Sequence, residues 1–97
     1  MTPNPEVAES LARLLLEKHL VSCVNILPNV RSFYEWKGEI VNESEVLLFI
    51  KTHSEHYAAI EQTLLQQHPY DVPELIVLQI QTGLPSYLAW IDETTKL

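Results

Sequence analysis

Five consecutive apolar residues, Val46-Leu47-Leu48-Phe49-Ile50, constrain this chain more than any other feature. A strand with apolar side chains on both faces belongs inside a sheet, where both faces are covered. The run closes a long block of strand-prone sequence. Val21–Leu27 is short and β-branched, and Pro28-Asn29 ends it. Val30–Trp36 resumes with Val, Phe, Tyr and Trp, residues that suit a pleated, half-buried surface. Lys37-Gly38-Glu39 is the turn, after which Ile40-Val41 and then Glu45–Lys51 return as extended chain. The block therefore reads as a strand, a long hairpin and a further strand.

Helical periodicity flanks it. Asn4 caps a helix that Pro5 opens, and Ala8, Leu11, Ala12, Leu15 and His19 repeat at helical spacing, predicting a helix over 5–19. Thr52-His53-Ser54-Glu55 has the capping-box form ahead of Tyr57, Ile60, Leu64 and Leu65, so a second helix runs to Gln67. Pro69 and Pro73 forbid its continuation. Glu74–Gln81 reads as a strand, Gly83-Leu84-Pro85 breaks it, and a short helix over 85–93 carries Tyr87, Leu88, Trp90 and Ile91. The order helix, strand, long hairpin, strand, helix, strand, helix is an α+β, ferredoxin-like split βαβ arrangement, an antiparallel sheet with helices on one face, that lacks its first strand.

The length of 97 residues predicts a single domain over 1–97. A chain of that size buries roughly 60–65% of its unfolded surface, a thin core that oligomerisation commonly supplements. A net charge of −7 opposes binding to nucleic acid and to anionic membranes. The opening residues lack the basic-then-apolar pattern of a signal peptide, and no apolar run approaches the roughly 20 residues of a membrane span. With one cysteine, Cys23, no internal disulfide forms. These features together predict a soluble cytoplasmic protein.

Few residues announce chemistry. His68 stands at a helix end before Pro69, either as an imidazole placed for a metal, copper above all, or as a cap on the free carbonyls there; the residues alone favour the cap. Cys23, among Val21, Val24 and Ile26, reads first as a buried structural thiol and second as a metal or redox group. His53 and His56 share a helix face at a spacing common by chance, and a solvated face is expected there; His19 is expected to pack, partly buried, on the apolar stripe. In the grouping implied by the resemblance given below, Lys51 and Glu74 form an ion pair or, with Tyr34, Trp36 and Tyr70, a small-ligand cleft; Phe33, Tyr34 and Trp36 read first as interface packing. No nucleophile–base set, phosphate-binding glycine loop or paired-cysteine zinc spacing is present, so no enzyme is predicted and no cofactor is required.

Five segments in order resemble the CutA family: Ala12–Asn25, ending Val21-Ser22-Cys23-Val24-Asn25; Ser32-Phe33-Tyr34-Glu35-Trp36-Lys37-Gly38-Glu39-Ile40; Glu45–Lys51; His68-Pro69-Tyr70-Asp71-Val72-Pro73-Glu74; and Tyr87-Leu88-Ala89-Trp90-Ile91. The resemblance implies a ferredoxin-like subunit, a homotrimer whose long hairpins pair across subunits, and a role in tolerance of divalent metals including copper. It implies His68 as a copper ligand and places Tyr34, Trp36, Lys51, Tyr70 and Glu74 near a cleft between subunits. It also implies an apolar strand ending just before Thr2, which this chain does not carry. The expected reason is a start downstream of the family's usual one; closure of the remaining strands and a strand from a neighbouring chain are the alternatives. The family cysteine proposed as the histidine's metal partner belongs to that strand, and Gln67 stands where some members have a second histidine. Weak metal binding is the resulting expectation. A small-molecule sensor or signalling trimer, by analogy with the nitrogen-regulatory PII proteins, is the alternative.

Overall fold

A computed structural model describes residues 1–69 and 72–96. Helix α1 spans Pro5–Glu17, strands β1 and β2 span Cys23–Trp36 and Glu39–Lys51, and a single 3₁₀ turn, Ser54–His56, leads into helix α2, Tyr57–Gln67. Helix α3, Pro85–Thr94, closes the chain. The result is an α+β fold built around one two-stranded antiparallel sheet.

The hairpin is continuous from Cys23↔Lys51 at its root to Trp36↔Glu39 at its tip. The two strand pieces predicted on each side of the turn therefore merge into one strand per side. Pro28-Asn29 does not end β1. The register slips by one residue between Leu27 and Val30, a β-bulge, and Asn29 takes the left-handed conformation (φ 64°) that Asn tolerates better than most residues. At the tip Lys37 and Gly38 both have positive φ, 51° and 82°, as a two-residue turn matched to the sheet's twist requires. A ladder this long accounts for the molecule's 45 Å greatest dimension.

The expected start of α1 is present: the Asn4 side chain accepts from Val7 N–H at 2.9 Å, and Pro5 occupies the first turn. Its end differs. The helix stops at Glu17 with Lys18 as its cap, and His19 turns through φ 57° and is exposed rather than packed on the stripe. That left-handed step lets Leu20 N–H bond back to Leu15 C=O and drops Leu20 and Val21 into the core. The capping box at Thr52 is also replaced. His53 Nδ1 accepts from Glu55 N–H, while Thr52 Oγ1 donates to Leu20 C=O at 2.6 Å and ties the exit of β2 to the exit of α1.

The core is small: Leu11, Leu15, Leu20, Val21, Ile60 and Leu64, with Val7, Val24, Ile50 and Leu75 packed around it. It sits between α1, α2 and the root of the hairpin. Helix α3 contributes Ile91 and is otherwise held by polar contacts. Ser22 Oγ donates to Ile91 C=O, Thr94 Oγ1 donates to Ser22 Oγ, and His56 Nε2–H donates to Thr95 C=O at 2.6 Å. His56 is thus buried, not on a solvated face as the sequence suggested.

Glu74–Gln81, predicted as a strand, has no ladder partner among the described residues. The physical reason lies in what faces it. Among the described residues the neighbouring edge of β2 pairs with extended chain only at Thr2, where Thr2 N–H donates to Val46 C=O at 2.9 Å and Val46 N–H donates to Thr2 C=O at 2.8 Å. An open groove lined by Thr2, Leu48, Ile50, Glu74 and Leu75 separates that edge from the segment. For the same reason the Val46–Ile50 run is only partly enclosed: Val46 is buried, but Phe49 is 47% exposed.

Candidate functional site

The sequence-predicted site residues fall into two places. Lys51 and Cys23 face each other at the hairpin root, whereas Tyr34 and Trp36 lie near its tip. Eleven residues of extended chain separate Cys23 from Tyr34, about 36 Å at 3.3 Å per residue. One chain therefore cannot bring Tyr34 and Trp36 to Lys51; any shared cleft requires more than one copy. Tyr70, the remaining member with Glu74, lies outside the described residues.

No ion pair joins Lys51 to Glu74. The Lys51 ammonium instead lies 5.7 Å from the Tyr87 ring centroid, within cation–π range. Tyr87 in turn contacts Trp90, with centroids 5.6 Å apart. Sequence reasoning listed these two aromatics as helix residues without linking them to Lys51. Their spacing of three on a helix with one buried residue was the available signal: it puts both rings on one face and leaves that face uncommitted to the core.

Cys23 is half-buried, not enclosed, and its Sγ lies 3.9 Å from Asn25 Oδ1, a weak donor contact. At the tip, Trp36 is 50% exposed with Lys37 Nζ 6.0 Å from its ring centroid, and Phe33 and Ile40 are more exposed still. Tyr34 is held by Glu43: the hydrogen bond to that carboxylate, then partial desolvation and the negative charges of Glu43 and Glu45, raise its phenol above the usual value of 10.0.

His68 caps α2, its N–H bonded to Leu64 C=O at 2.8 Å. Its ring is partly buried, and Nε2 lies 2.5 Å from Met1 C=O. A carbonyl only accepts, so Nε2 carries the proton in that bond. His53 and His56 are spoken for by Glu55 N–H and Thr95 C=O. Among the described residues no cluster of three or more His, Cys, Asp or Glu side chains is placed to hold a metal ion.

The family model for CutA1 divalent ion tolerance protein matches residues 1–94. The chain belongs to this family. It is 45% identical over 94 residues to Protein CutA of Mus musculus, covering 97% of this chain and 53% of the mouse protein. It is 41% identical over 93 residues to the divalent-cation tolerance protein CutA of Thermus thermophilus, covering 96% of this chain and 90% of that protein. The chain thus spans only 52–61% of the length of the vertebrate relatives it matches. The solved structure of the periplasmic divalent cation tolerance protein CutA from Archaeoglobus fulgidus superposes with a TM-score of 0.95 at 40% identity, covering 98% of this chain and 92% of that one. The family and the α+β fold expected from the hairpin motifs are therefore both established. No helix among the described residues is long and apolar enough to cross a membrane.

Proposed function

We propose that this chain is one subunit of a cytoplasmic homotrimer that serves divalent-cation tolerance, is not an enzyme, and binds copper or a similar ion weakly. Membership of a family of divalent-cation tolerance proteins supports the role. The observation that carries the assembly is the hairpin tip: Phe33, Trp36 and Ile40 lie in water, far from the core their own chain provides. Apolar area of that kind is stabilised when the hairpin of another copy covers it. A tip laid along a neighbouring hairpin toward its root would bring Tyr34 and Trp36 of one subunit to Lys51 of another. His68 is the metal ligand of this proposal, and a single imidazole with no donor cluster around it among the described residues accounts for weak affinity. Titration calorimetry with copper on wild type and His68→Ala tests it. Loss of the binding heat in the variant is expected; equal affinities remove His68 from the site.

A second reading, a small-molecule-sensing trimer, is favoured by one feature: the Lys51–Tyr87–Trp90 group offers an ammonium beside two rings in tilted contact, suited to a small anionic ligand. A thermal-shift screen with a chelator present separates the two, since stabilisation by metabolites that survives chelation supports only the second.

A further inference from the structure

We draw no further inference here: the strongest candidate, the open cleft beside the first turns of α1 that Glu6, Val7, Ser10, Leu11 and Leu14 line with Gln67 of α2, carries nothing, because its polar rim of Glu6, Ser10 and Gln67 stands in water and nothing in the structure shows what covers its apolar floor.

Discussion

Trp36→Ala separates a hairpin that is buried in an assembly from one that stands in water. In a single chain Trp36 is 50% exposed, with Lys37 Nζ 6.0 Å from its ring centroid. A fully enclosed tryptophan buries on the order of 250 Å², so about 125 Å² remains open to water here. At about 25 cal/mol per Å², enclosing that area contributes about 3 kcal/mol per subunit. Truncation in a closed trimer then costs the ~3–5 kcal/mol typical of a buried aromatic, and in an isolated chain only about half as much. Urea unfolding of wild type and variant, followed by sedimentation at several protein concentrations, reads the difference. With slopes of about 1–3 kcal/mol per molar urea for small proteins, the variant's midpoint is expected to fall by about 1–5 M and its assembly to loosen on dilution. An unchanged midpoint with an intact assembly refutes the reasoning, because it places Trp36 outside every interface.

Leu15, with no exposed surface, anchors the small core, and Leu15→Ala is expected to cost about 3–5 kcal/mol, lowering Tm by more than ~10 °C in a scanning calorimeter. Tyr34 is expected to ionise above the ordinary phenol value in an absorbance titration at alkaline pH, and Glu43→Ala to bring it back toward 10.0. The sign follows from the raised folded-state value. The folded chain holds this proton more tightly than the unfolded one, so the contribution is fully present below the unfolded value and fades as pH rises through the folded one. A Tyr34 midpoint unmoved by Glu43→Ala contradicts the assigned hydrogen bond.

Local signals carried far in this chain. Asn4-Pro5 placed the first helix start, and Lys37-Gly38 placed the turn, because both act through backbone chemistry within a few residues. Signals that depend on distant partners were not legible. Pro28-Asn29 reads as a strand end, yet the partner strand continues past it and turns the pair into a bulge. Thr52 reads as a cap, but the carbonyl of Leu20, 32 residues away, claims its hydroxyl. His56 reads as a surface residue until the end of α3 arrives over it. Glu74–Gln81 has strand composition, but a ladder needs a neighbour at hydrogen-bonding distance, and composition says nothing about that. The candidate site is less legible still. Tyr34 and Trp36 sit at the opposite end of the ladder from Lys51, a separation that residue types alone do not reveal.

The mass of the protein in solution, measured by sedimentation equilibrium across micromolar concentrations without metal, weighs most directly on whether hairpins of separate chains cover one another. A mass about three times the 11.2 kDa of one chain is expected, independent of added copper. A stable 11.2 kDa species at those concentrations contradicts it, since Phe33, Trp36 and Ile40 would then remain in water in the folded state.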